Sequence, residues 1–340
     1  TVLLALKAFV LTWAFPAIRS VAAGATASSL HELRMAGEEV GGEVHAYAPV
    51  YRAREWELWR TQCHFITFNS LSQFRRFGGG DAGFAAGLRI DPEYSDAVAK
   101  LYDPCGPGSR FGVRASELAG RLPPGLEGLH SHNLCEAGAT ATILTLARIE
   151  ELFAGVLPDI RWLNLGGGHL VTREGYDLDG LIEALRSFRD RHPALELILE
   201  PGAAFVWEAG VLVSTIEDIV LRDGVHTAML DTSFAAHMPD CLEMPYTPRV
   251  RGARIVDGPS GGWRLGGCSC LAGDFVGDYH FAHEPRVGER IVFEDMMHYT
   301  MVKTNMFNGV NLPSIGVLRT NGEFDLLRSF GYEDYRSRFA

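Results

Sequence analysis

The chain has no surplus of positive charge. Its 31 Lys and Arg stand against 42 Asp and Glu, a formal charge of −11 at neutral pH. Such a surface repels a phosphate backbone and attracts small cations, which excludes nucleic acid as a partner. A long apolar run is lacking too: residues 1–18 are apolar, but Lys7 interrupts them and Pro16 ends them, too short and too broken for a membrane span. The small residues from Val21 to Thr26 imitate a signal-peptide cleavage site, yet no basic segment precedes the apolar one, so a secretory leader is not expected. The six cysteines are scattered and form no disulfide framework, which points to a reducing cytoplasm. Zinc spacing is missing: Cys268-Ser-Cys270 has no second pair and His280-x-x-His283 no matching motif, so no metal is expected. Internal repeats and low-complexity tracts are also missing.

What is present is enough apolar material for more than one small core, 47% of 340 residues, with 38 glycines often in pairs or triplets. Short apolar runs at 2–6, 44–47, 63–68, 84–90, 126–132, 162–165 and 196–199 read as strands. Amphipathic stretches at 28–40, 71–77, 140–153 and 178–191 read as helices between them. This alternation predicts an α/β fold, a (β/α)8 TIM-like barrel over residues 1–208. No element precedes the strand that leads to Lys7, so the barrel is expected to lack its first strand. Beyond Glu200-Pro-Gly202 the texture turns to β-runs at 211–221, 227–230, 252–256, 263–265 and 290–293, which predicts a C-terminal β domain over 209–340.

Chemistry in a parallel barrel sits at the C-terminal strand ends, and four features fall there. Lys7 follows a buried strand, where desolvation favours the neutral, nucleophilic amine. Gly166-Gly167-Gly168 follows another, where backbone amides can converge on an anion. Glu200 ends a third and could hold a proton on a heteroaromatic nitrogen, and His132 could stack on a flat ring. Taken singly, each has an ordinary reading: a loop lysine, a tight turn, a barrel-mouth ion pair, a packed histidine. Residues 266–274, with Cys270 and Asp274 among glycines, read as a loop reaching into a cleft, and Phe307 as either pocket lining or core.

Taken in order, Leu3-Leu-Ala-Leu-Lys7, the His132 segment, Leu163-Asn-Leu-Gly-Gly-Gly168, Glu200-Pro-Gly202, 267–274 and His298-Tyr299 through Phe307-Asn-Gly309 resemble the fold-type III pyridoxal-5′-phosphate (PLP) decarboxylases. That is the alanine-racemase and ornithine-decarboxylase type of barrel with a β domain. Thr26-Ala-Ser-Ser-Leu30, Gly41-Gly-Glu-Val-His45, Leu230 through Asp240 and Phe293 through Thr304 are similar to its carboxynorspermidine decarboxylase branch. The resemblance implies that Lys7 carries PLP, His132 stacks on it, Gly166 to Gly168 with Tyr299 hold its phosphate, and Glu200 pairs with its ring nitrogen. It further implies that Cys270 delivers a proton from the partner subunit of a homodimer. Where diaminopimelate decarboxylases carry an arginine-centred motif, His237-Met-Pro-Asp240-Cys-Leu-Glu243 is acidic. Asp231, His237, Asp240, Glu243, Asp274 and Phe307 are accordingly the substrate-binding candidates, for a cationic amino acid such as carboxynorspermidine or carboxyspermidine. The chain departs from relatives at Ala203, where many place a phosphate-binding arginine, and at Leu271, where an acid often follows the cysteine. Other decarboxylases of this fold, acting on diaminopimelate, ornithine or arginine, and a silent PLP-binding regulator are the alternatives.

Overall fold

All seven apolar runs of the first two hundred residues contain strands, and an eighth strand lies between the first two. In the computed structural model, which describes residues 1–79, 83–97, 100–256 and 261–340, they are β1 (Leu3–Ala5), β2 (Gly24–Ala27), β3 (Glu43–Tyr47), β4 (Phe65–Phe68), β5 (Ala85–Arg89), β6 (Gly128–His130), β7 (Trp162–Asn164) and β8 (Glu196–Ile198). They pair in sequence order, every neighbour parallel. A parallel bridge from Val2 to Leu199, with the Leu3 amide donating to the Leu199 carbonyl at 2.9 Å, brings the first strand to the last. The sheet thus closes as a barrel.

The expectation of a missing first strand is corrected by β2. Gly24-Ala-Thr-Ala27 has too little apolar bulk to read as a strand, and its smallness is a packing requirement. A Cβ on Gly24 would stand 1.9 Å from the Glu43 carbonyl oxygen. The barrel interior shows the same fitting of small against large: Trp162 packs with Leu3, Ile198 and Phe65, and a Cβ on Gly87 or Gly128 would fall 2.1 or 1.9 Å from its indole. His45 stacks on Phe65 at 4.1 Å. Burial pushes its pKa down to about 3, so it acts there as a neutral ring.

Helices Leu71–Phe77 and Leu178–Arg191 match their predicted bounds, and Ala139–Leu152 starts and ends one residue early. The stretch 28–40 divides into the helix Leu30–Met35 and a π turn, Ala36–Val40. Ser29, Ser70 and Asp177 cap three of these helices by accepting from backbone amides in the first turn.

The chain divides into two compact units, Thr1–Phe205 and Val206–Ala340. The second contains β9 (Val211–Arg222), β10 (Val225–Leu230), β11 (Ala253–Val256), β12 (Trp263–Gly266), β13 (Phe275–Phe281) and β14 (Arg290–Glu294), in the sheet order β11-β13-β12-β10-β9-β14. A hairpin, β15 (Ile315–Leu318) with β16 (Phe324–Arg328), follows. Phe234, Tyr279 and Phe293 are fully buried in its core. β13 escapes a reading by hydropathy because glycine, aspartate and histidine interrupt its apolar residues.

Candidate active site

β1, β6, β7 and β8 end at Ala5, His130, Asn164 and Ile198, and Lys7, His132, Gly166 and Glu200 each lie two residues further on. The common offset gathers side chains from four strands at one end of the barrel. Lys7 Nζ lies 3.0 Å from His132 Nε2. The Gly167 amide donates to His132 Nδ1 at 3.1 Å, which places the proton of a neutral imidazole on Nε2. That N–H needs an acceptor, and Lys7 can be one only as an uncharged amine. Burial, and then the positive charge of Arg89, lower the Lys7 pKa in the same direction. The charge of Lys7, followed by burial, holds His132 well below the ordinary imidazole range. The hydrogen-bond geometry is that of a neutral pair, and both pKa values are displaced toward it.

Glu200 is buried. Its Oε1 accepts from Asn164 Nδ2 at 2.7 Å, and Thr26 of β2 also bonds to the carboxyl. Burial raises its pKa against the opposing pull of these bonds and of Lys7. His130 Nε2 stands 3.8 Å from Oε2, but burial keeps that imidazole neutral, so the contact is not an ion pair. The glycine turn joins these parts. Gly166, at φ +64°, donates to Asn164 Oδ1 at 2.8 Å and accepts from the Glu200 amide at 2.7 Å. A Cβ would fall 2.6 Å from His132 Nδ1 at Gly166, 2.5 Å from the Glu200 carbonyl oxygen at Gly167, and 2.2 Å from the Leu134 carbonyl oxygen at Gly168. The amides of Gly166 and Gly167 are therefore engaged within the barrel.

Arg89 is a central residue that hydropathy reading missed. It ends β5, is buried, and donates to Tyr47 Oη at 2.6 Å and to the His132 carbonyl at 2.7 Å. Its guanidinium lies between the rings of Tyr47 and Phe111, at 4.8 and 4.3 Å. Its place at a strand end, shared with the predicted residues, is the signal that could have found it.

The second unit holds its own cluster. Asp274 is buried: Oδ2 accepts from Ser269 N at 3.1 Å and Ser269 Oγ at 2.5 Å, and Oδ1 accepts from Ala235 N at 2.9 Å. These bonds hold the loop that contains Cys270 around the carboxylate. Asn308, at φ +61°, lies with Nδ2 3.7 Å from the exposed Cys270 Sγ. The neighbouring Phe307 is 46% exposed. Asn305 donates to the carbonyls of Ala236 and Ala235 at 2.8 and 3.2 Å, tying the segment after the helix Tyr299–Lys303 to the one that carries His237, Asp240 and Glu243. His237 is buried, with Nδ1 accepting from Ser233 N at 3.3 Å. Asp231 accepts from Ser214 Oγ and Thr215 N at 2.6 and 2.8 Å, stitching β9 to the end of β10. Both carboxylates of Asp240 and Glu243 bind Lys303, Glu243 at 2.7 Å.

The family model described as "Pyridoxal-dependent decarboxylase, C-terminal sheet domain" matches residues 21–297. The chain belongs to this decarboxylase family. It is 56% identical over 341 residues to the carboxyaminopropylagmatine decarboxylase of a Synechocystis species, covering 100% of this chain and 88% of that protein. It is 38% identical over 348 residues to the carboxynorspermidine/carboxyspermidine decarboxylase of Campylobacter jejuni, covering 99% and 91%. The crystal structure of carboxynorspermidine decarboxylase complexed with norspermidine, also from Campylobacter jejuni, superposes with a TM-score of 0.90 at 38% identity over 99% of this chain and 92% of that one.

The barrel residues fit the family's cofactor. A carbonyl-bearing heteroaromatic ring needs an uncharged amine, a flat neighbour held at fixed tilt and a buried carboxyl, and Lys7, His132 and Glu200 meet those needs. Arg89 supplies a test. Arg89→Met removes a cation that lowers the Lys7 pKa, so cofactor-free enzyme should take up PLP with a pH midpoint moved upward. Uptake near neutral pH should slow by about tenfold for each unit of that shift. An unmoved midpoint would take Arg89 out of the control of Lys7.

Proposed function

We propose that the chain removes CO2 from the α-carbon of a carboxylated polyamine, an amino acid whose far end is cationic. The observation that carries this reading is the end-to-end match, over 99–100% of the chain, to decarboxylases of carboxyaminopropylagmatine and of carboxynorspermidine or carboxyspermidine. These compounds share an amino-acid head and differ in the tail, which ends in a guanidinium or an ammonium. A chain of net charge −11 suits any of them. The 56% identity makes carboxyaminopropylagmatine the first substrate to try, with carboxynorspermidine and carboxyspermidine beside it.

Bound PLP supplies the electron sink for the pair left on the α-carbon when CO2 departs. The chain's own residues prepare and finish that step. Lys7 offers a neutral amine, held by a histidine that cannot accept its proton because Nδ1 is occupied by the Gly167 amide. His132 keeps one ring plane through that bond and through the Arg89 contact to its carbonyl. Glu200, whose pKa burial raises, would pair with the ring nitrogen through its buried carboxyl. Within the glycine turn, phosphate holding falls to Gly168, since the amides of Gly166 and Gly167 are already used.

Cys270 is the proton donor to the carbon, supplied by the partner subunit of a homodimer, as the family resemblance implies. Asp274 and Asn308 position it. Cys270→Ala is expected to keep bound PLP and lose about 10²-fold or more in amine formation. Mixed with Lys7→Ala it should regain about a quarter of wild-type activity, because random pairing leaves half the dimers with one intact site. No recovery on mixing would place both residues in the same subunit's site.

Six free cysteines support a reducing compartment, the cytoplasm. Among the described residues, no helix is long and apolar enough to cross a membrane. CO2 release from the three carboxylated polyamines, diaminopimelate, ornithine and arginine, measured side by side on PLP-loaded enzyme, tests the proposal. Preference for diaminopimelate or a simple basic amino acid would discard the substrate class, and silence on all six with PLP bound would favour the regulatory alternative.

A further inference from the structure

Lys303 lies between the two carboxylates expected to receive the substrate's cation. It bonds Asp240 Oδ1 and, at 2.7 Å, Glu243 Oε2. The Asp240 side chain is 14% exposed and that of Glu243 57%, so the group is open on the Glu243 side. Two carboxylates and one ammonium leave a single unmatched negative charge. The lysine closes the one-turn helix that Tyr299 opens, and residues four apart lie on one helix face. Packing does not require the ion pairs to dock this segment, because Asn305 already ties it to the carbonyls of Ala235 and Ala236.

We propose that Lys303 is a specificity-determining residue, a built-in cation that competes with the substrate's terminal nitrogen and sets the charge of the carboxylate cluster to match one positive end. The inference rests on the polyamine reading and deepens it. An incoming guanidinium or ammonium takes Glu243 from Lys303, which retreats onto Asp240. The cluster thereby stays near neutral in the complex and binds weakly any tail that ends without a cation. The carboxylates alone, carrying two charges, would hold a product amine more tightly and release it more slowly.

The test is a charge count on PLP-loaded enzyme, read as KM for carboxyaminopropylagmatine and carboxynorspermidine. Lys303→Met should lower KM by about fivefold and Glu243→Gln should raise it by about fivefold, the range of a half-exposed ion pair. The double variant restores the net charge and should return to within about twofold of wild type. Lys303→Arg, which keeps the charge, should stay near wild type. A Lys303→Met enzyme whose KM rises or stays put, a double variant worse than either single one, or an arginine variant that behaves like methionine would each overturn the assignment in favour of a structural brace. Wild-type enzyme that turns over none of the carboxylated polyamines would overturn the substrate reading and this inference together, whereas turnover with the wrong KM pattern overturns Lys303 alone.

Discussion

Lys7→Ala should purify without the visible absorbance of bound PLP and lose about 10³-fold or more in turnover. Burial and Arg89 lower the Lys7 pKa, and the Nε2 proton of His132, 3.0 Å away, calls for an uncharged amine as its acceptor. Alanine removes the nucleophile and leaves the imidazole N–H facing a small cavity, so both the attachment of the cofactor and the release of product lose their base. Cooperative unfolding should persist, because the barrel around Lys7 is held by Leu3, Leu4 and Leu6, all fully buried. The readouts are the absorbance spectrum after incubation with PLP, CO2 release and a melting curve. A variant that keeps the absorbance and turns over would move the attachment to another lysine and undo the reading of the whole cluster.

Glu200→Gln should cut kcat by about 10²–10³-fold while PLP still binds. Glutamine can keep the contact to Asn164, made at 2.7 Å in the native chain, yet it offers no acidic proton to the ring nitrogen. The same substitution carries a stability signature that a packing defect would not mimic. Burial raises the Glu200 pKa above the ordinary carboxyl value of 4.5, so the folded state binds its proton more tightly than the unfolded one. Below that value both states are protonated and the group costs nothing. As pH rises from the unfolded toward the folded value, the unfolded chain ionises first and folding stability falls. Glutamine avoids this cost, so cofactor-free Glu200→Gln should match the wild type at acid pH and exceed it at neutral pH. Denaturant midpoints across that range decide the point. A variant less stable at neutral pH than at acid pH, relative to wild type, would mean that Glu200 acts as a stabilising anion instead.

A raised carboxyl and a lowered lysine within one barrel mouth are costly to stability and useful to chemistry. The folded state tolerates them because Asn164, Thr26 and the Gly167 amide satisfy the hydrogen bonds that burial takes from water. The hydrogen-bond partners of Lys7, His132 and Glu200 are thus in place before substrate arrives, and the reaction need not reorganise them.

Lys7, His132, Gly166 to Gly168 and Glu200 were legible in the sequence because each follows an apolar run, and in a parallel barrel the strand ends meet. The periodicity that marks Leu71–Phe77 and Leu178–Arg191 as helices is likewise a property of the chain itself, set by which side chains must leave water. By itself the sequence determined the alternation of elements, the family and the candidate groups. It could not reveal β2, whose four small residues carry no hydropathic signal and are strand because they pair with β1 and β3, where Glu43 leaves Gly24 no room for a side chain. Nor could it pair Arg89 with His132 across 43 residues, or Lys303 with Asp240 and Glu243 across 63 and 60. Those partnerships, the lowered pKa of Lys7 and the engagement of the glycine amides were decided by tertiary structure, because a hydrogen bond or a charge shift depends on distance in space and on how much water remains between the groups.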